Sequence, residues 1–212
     1  SLLATTTALT YSDSTVVAGN TYVYTATATS IIGEGIQSAG LSLQAGTVPT
    51  IPQNALATTQ TGNNISFSWT APSSNGGVPV TGYNPQVSTD GGTTWTDLLT
   101  TPSAATSFSH TGLTTGQNYS YQVLATNSVG NSPYTSSVST VAGDAPAQVT
   151  GLATTAVSDT EIDLAWNVPA NNAYSISSYN VLRSVDGTTW TSFTTATNSY
   201  SDTGLTADTV YH

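Results

Sequence analysis

Between Asn64 and Thr70 apolar and polar residues alternate. Ile65, Phe67 and Trp69 fall on one side and Ser66 and Ser68 on the other, which is the two-residue period of a half-buried β-strand. The same period runs through Tyr119, Tyr121, Val123 and Ala125. Shorter strands are predicted at 83–87, 94–99, 107–109 and 136–141. They are punctuated by the loop APSSNGGVPVTG at 71–82, the DGG turn at 90–92 and the turn TGLTTGQN at 111–118. Short strands with turn signals roughly every 8–12 residues predict an all-β fold, a seven-stranded sandwich. Its core is expected to rest on Trp69, Tyr83, Tyr119, Tyr121 and Val123.

The pattern repeats. GNTYVYTATATSIIGEG at 19–35 aligns with GQNYSYQVLATNSVGNS at 116–132, and NISFSWTAP at 64–72 aligns with EIDLAWNVP at 161–169, each pair 97 residues apart. Trp166 and Tyr179 are therefore the expected core residues of a further copy. The repeat divides the chain into 1–46, 47–145 and 146–212, of which only the middle segment holds a complete unit. The outer segments are expected to be the C-terminal and N-terminal parts of repeats. They would be completed by more of the same chain or by strands of a neighbouring identical subunit. The linkers TVPTIPQ and DAPAQ are short and carry proline, which stiffens them.

The Trp on the second strand, the Tyr on the third and the run L-x-x-G-x-x-Y-x-Y-x-V-x-A-x-N at 113–127 resemble a fibronectin type III domain. The resemblance implies tandem immunoglobulin-like sandwiches. It also implies that Tyr119 bonds back to backbone near Leu113 as a tyrosine corner, with Tyr22 and Tyr211 in the same slot. Pro85, in the middle of the third strand, departs from the pattern; a bulge or an edge position is expected there.

Composition narrows the function. Charged residues make up 6% of the 212, against about 25% in ordinary soluble domains. Eleven acids face a single base, Arg183. Nucleic acid requires clustered Lys and Arg, and so does an anionic membrane surface, so neither is an expected partner. No apolar run reaches the ~20 residues of a membrane span, and no basic stretch precedes SLLATTTAL as a signal peptide requires. With no cysteine there is no disulfide, thiolate metal site or cysteine nucleophile.

Two octapeptide-like turns invite a catalytic reading. STDGGTTW at 88–95 and SVDGTTW at 184–190 resemble the Asp-box hairpin of sialidases and related propellers. Propeller blades recur every 40–50 residues or so, whereas Asp90 and Asp186 are 96 apart. A sialidase, by that resemblance, would also need three arginines. Asp90, Gly91, Gly92 and Trp95, with Asp186, Gly187 and Trp190, are thus expected to build turns.

Asp159, Glu161 and Asp163 share one face of a strand by the period of two, opposite Ile162, Leu164 and Trp166. That puts them on the solvent side as a solvated face, and no cofactor is expected: three carboxylates in a row could hold calcium loosely, but the dense Asp/Asn spacing of calcium loops is missing. They do not form the carboxylate pair across a cleft that a glycosidase needs. His110 and His212 lack a second ligand or acid, and no serine lies in a G-x-S-x-G elbow. Asn64 and Asn118 head N-x-S sequons. The loops SSNGG at 73–77 and NSVGNSPY at 127–134 stand out as exposed recognition candidates.

The expectation is a non-catalytic secreted or cell-surface array, a structural or adhesive element forming a stiff rod or filament. Glycans or other surface proteins are its expected partners, beside further repeats. The alternatives are an accessory region of a polysaccharide-active secreted enzyme and a virion or tail decoration.

Overall fold

A computed structural model describes residues 3–212, and strands and turns make up all of the regular structure they carry. The strands in chain order are β1 (Thr21–Tyr24), β2 (Thr29–Ser30), β3 (Gly33–Glu34) and β4 (Leu41–Gln44) in the first segment. The middle segment holds β5 (Gln53–Gln60), β6 (Asn64–Thr70), β7 (Val80–Ser88), β8 (Thr96–Asp97), β9 (Ser107–His110), β10 (Asn118–Asn127) and β11 (Val138–Val141). The third holds β12 (Thr150–Ser158), β13 (Glu161–Asn167), β14 (Tyr179–Arg183), β15 (Thr191–Thr195) and β16 (Ser199–Thr203).

Spatially the chain forms two compact units that do not follow the repeat boundaries. One comprises Ser1–Thr58, Ser66–Ser109 and Asn118–Thr140; the other comprises Thr59–Ile65, His110–Gln117 and Val141–His212. Neither linker coincides with the division.

In the first unit β1 pairs antiparallel with β4, setting Tyr22 opposite Leu43, and β2 with β3 forms a small hairpin. Tyr22 makes a tyrosine corner, its hydroxyl accepting the Val17 N–H at 3.0 Å. The middle repeat has two sheets, β5–β6–β9 and β11–β10–β7–β8. They meet through aromatic rings: Phe67 of β6 stacks on Tyr121 of β10 at 5.1 Å, and Trp69 meets the edge of Tyr83 at 5.7 Å. Phe67, Tyr121 and Val123 are completely buried, as is Ile65, and Trp69, Tyr83 and Tyr119 nearly so.

Three local features differ from the sequence expectation. The fourth strand is only Thr96–Asp97, because the N–H groups of Thr93 and Thr94 are taken by the Asp90 carboxylate instead of a ladder. The last strand starts at Val138: ahead of it the hydroxyls of Thr135 and Ser132 accept the Val123 and Ala125 N–H groups at 3.2 and 2.9 Å. No bulge falls at Pro85, which sits in register opposite Val123; the irregularity lies at Thr126 and Asn127. The Pro85 carbonyl accepts the Leu98 N–H. Its missing donor therefore faces the side where β8 is two residues long, and little ladder is lost.

In the second unit β13 lies between β12 and β16, and β14 pairs with β15. Trp166 meets the edge of Tyr179 at 5.3 Å. Trp166 is buried, whereas Tyr179 is half-buried and β12 is exposed throughout. Tyr211 repeats the tyrosine corner, accepting the Thr206 N–H at 3.0 Å.

Candidate functional site

The aspartate turns show what their carboxylates do. Asp90 Oδ1 accepts the Ser88 hydroxyl (2.7 Å) and the N–H groups of Thr93 (3.0 Å) and Thr94 (2.9 Å), and Oδ2 accepts the Thr94 hydroxyl (2.6 Å). Ser88 Oγ in turn accepts the Gly92 N–H at 2.8 Å. Gly91 and Gly92 have φ of 75° and 93°, a left-handed run that glycine adopts without strain. The Trp95 indole lies against Gly92 and donates to its carbonyl at 3.0 Å.

The second turn has the same wiring. Asp186 Oδ1 accepts the Ser184 hydroxyl and the N–H groups of Thr188 and Thr189 (2.8 and 2.7 Å), with Gly187 at φ 71°. Trp190 stands half exposed. Hydrogen bonds from Thr94, first its hydroxyl and then its N–H, hold the Asp90 carboxyl far below the usual carboxylate range. The N–H groups of Thr189 and Thr188 do the same for Asp186. Both carboxylates are engaged by hydrogen bonds within their own turns, and these groups close turns.

The acidic row is broken. β13 begins at Glu161, and Asp159 lies in the turn that joins it to β12, so it does not share the strand face. Asp159 and Thr160 form the turn of the hairpin, where the period of two does not hold. Asp163 accepts the Ser201 hydroxyl across the β13–β16 pair. Among the described residues there is no group of three His, Asp or Glu side chains placed to hold a metal ion.

Arg183 is engaged. Its Nη1 lies 2.6 Å from Oδ1 of the buried Asp202, and its guanidinium covers the Phe193 and Tyr211 rings at 4.9 and 5.5 Å. Burial lowers the pKa of His110, at the end of β9, away from the protonated form. His212 pairs through its backbone with Ser184. The Asn64 side chain donates to the Thr61 carbonyl, and Asn118 is exposed at the start of β10.

The two loops singled out as exposed are tied to backbone. Gly76 is buried, and its carbonyl accepts the Thr47 N–H at 2.8 Å. Asn127, only 4% exposed, satisfies its whole amide: Nδ2 donates to the carbonyls of Thr47 (2.7 Å) and Asn75 (2.8 Å), and Oδ1 accepts the N–H groups of Val129 and Gly130. One side chain thus joins both loops to the linker. Its place at the end of an alternating strand was the one signal in the sequence, and composition alone does not separate it from the many other asparagines.

Comparison with known proteins agrees with this architecture. The model of the fibronectin type III domain matches residues 50–141. The chain is 34% identical over 173 residues to Chitinase A1 of Niallia circulans, covering 78% of this chain and 23% of that one. It is 31% identical over 137 residues to Exoglucanase B of Cellulomonas fimi, covering 61% of this chain and 12% of that one. The chain therefore spans less than a quarter of either relative. The FN1-FN3 domains of chicken CNTN1 superpose over 93% of the chain and 70% of their own length, at TM-score 0.55 and 19% identity, a likeness of fold.

Proposed function

We propose that the chain, whose residues 50–141 match the fibronectin type III domain, is a non-catalytic accessory region of a secreted polysaccharide-active enzyme. It would separate a catalytic domain from other parts of the same polypeptide. The similarity to a chitinase over 78% of this chain, but over only 23% of the chitinase, carries the reading: what is shared is a part of a larger enzyme. The exoglucanase likeness points the same way. The aspartate turns agree, because their carboxylates are consumed by local hydrogen bonds. Enzymes named for chitin and glucan act on polymers too large to enter a cell, which supports an extracellular setting.

The test is the parent polypeptide. A glycoside-hydrolase domain in the same reading frame is expected. Removing the region should lower hydrolysis of the insoluble polymer while leaving soluble oligosaccharide hydrolysis unchanged. A reading frame of repeats with no catalytic domain would overturn the proposal in favour of a surface filament.

A further inference from the structure

The linkers before the middle and third repeats are held by the same set of contacts, made by different residues. Within the first unit, Gly19 and Asn20 exchange hydrogen bonds with Ala45, each at 2.8 Å. Within the second, Gly116 and Gln117 do so with Ala142, at 2.8 and 2.9 Å. One step along, the Thr47 N–H donates to the Gly76 carbonyl, and the Asp144 N–H donates to that of Asn172 (2.8 and 3.1 Å). Thr50 then bonds to Ser74, as Ala147 does to Ala170 (3.0 and 2.9 Å).

The loop after the tryptophan strand has two left-handed residues in a row in both places. They are Gly76 and Gly77 at φ 77° and 85°, and Asn172 and Ala173 at 49° and 80°. Just before each linker a glycine is pressed against the residue that follows this pair. A Cβ at Gly46 would stand 2.9 Å from Val78 Cγ1, and one at Gly143 would stand 2.6 Å from Tyr174 Cε2. Both glycines begin the pattern G-x-x-P.

Side chains then reinforce each linker differently. Asn127 does so at the first. At the second, the hydroxyls of Tyr174 and Thr59 both reach the Val141 carbonyl (2.8 and 2.7 Å). There Asp144 Oδ1 also accepts the Gly62 N–H at 2.8 Å.

Equivalent hydrogen bonds built from unlike side chains are the mark of a joint specified by backbone geometry. Mobile linkers have their polar backbone groups in water; these have them paired. We infer that the loop following the tryptophan strand is a docking element. It clamps the linker and the end of the preceding repeat, so that consecutive repeats meet at a fixed joint, and a further repeat carrying G-x-x-P would dock in the same way. The loops 73–77 and 170–174 are thereby occupied by a neighbouring repeat rather than open to a ligand. This inference stands independently of the enzyme reading.

The chain has no cysteine, so spin labels can be introduced cleanly in the full chain. One pair, at Ser42 and Thr101, spans the first joint; a second, at Thr111 and Thr188, spans the other. Pulsed electron resonance should give one narrow distance distribution for each. Gly143→Ala should broaden the 111–188 distribution about twofold and leave the 42–101 distribution unchanged, and Gly46→Ala should do the reverse. Tyr174→Phe removes one hydroxyl from a partly exposed side chain. It keeps the test valid if the alanine variant misfolds, and it should broaden the 111–188 distribution as well. Broad distributions in the unsubstituted chain, or substitutions that change neither width, would overturn the fixed joint.

Discussion

The middle repeat and the third segment contain the same aromatic pair in different surroundings. Trp69 meets Tyr83 at 5.7 Å and 61°, and Trp166 meets Tyr179 at 5.3 Å and 65°. Both tryptophans are buried and neither indole N–H has a hydrogen-bond partner within the protein, so the rings are held by packing. Around them the likeness ends. In β6 every second residue is buried, and Tyr121 of β10 covers Phe67 from the opposite sheet. In β13, Ile162 and Leu164 are only half-buried, Tyr179 likewise, and β12 is exposed along its whole length. Alternation and ring geometry are local properties of a strand pair, whereas burial is supplied by the sheet opposite. Local sequence therefore sets which residues could form a core, and the facing strand sets how much each one contributes.

Truncation is the first way to break this comparison. Trp69→Ala should cost about 3–5 kcal/mol, because rigid neighbours on both sheets cannot close the cavity. Trp166→Ala should cost less, about 1–2 kcal/mol, since half-exposed neighbours can collapse into the gap. Chemical denaturation of the two variants, followed by the fluorescence of the remaining tryptophans, checks the order. Equal losses would mean that the burial of the indole itself, the same in both, is what counts.

An effect smaller than that of Trp69→Ala is expected at Asn127. Asn127→Ala leaves the Thr47 and Asn75 carbonyls without their donor and should cost about 1–3 kcal/mol. Asn127→Asp is the sharper variant: it keeps the shape but replaces two donors by lone pairs, and should melt lower than the alanine variant. An aspartate variant as stable as the unsubstituted chain would sink the hub assignment.

The fold was largely legible because its signals sit in side chains. The alternation at Ile65–Phe67–Trp69 and Tyr119–Tyr121–Val123, the Asp-Gly turns and the repeat spacing are all carried by residue type. The joints were not legible for the opposite reason. Thr47 bonds to Gly76, and Asp144 to Asn172, through main-chain groups that every residue possesses. The misplacement of Asp159 has a similar origin, since a period of two does not reveal where a strand gives way to its turn. Likewise, the serine and threonine hydroxyls that complete β10 at Ser132 and Thr135 are indistinguishable by composition from dozens that face solvent.

The smallest effect concerns pH, and it tests how alike the two aspartate turns are. Both carboxyls are held below their unfolded value of about 3.9, so each turn's contribution is complete above that pH and is lost as pH falls through and below it. In a carbon-13 titration of the folded chain neither carboxyl signal should move between about pH 7 and about pH 4. His110 acts in the same direction at a higher pH: burial depresses its pKa, so its contribution is complete above about pH 6.5 and declines as acid converts the unfolded histidine first. A carboxyl titrating near the ordinary value in only one turn would show that the two turns are wired alike in sequence but not in strength.

Native-state hydrogen exchange on the full chain tests the central claim, that the facing sheet rather than local pattern decides burial and stability. The Phe67 and Trp69 amides of β6, and those of Tyr121 and Val123 in β10, should exchange slower than the Leu164 and Trp166 amides of β13 by on the order of a hundredfold or more. Equal protection of β6 and β13 in a monodisperse monomer would contradict it.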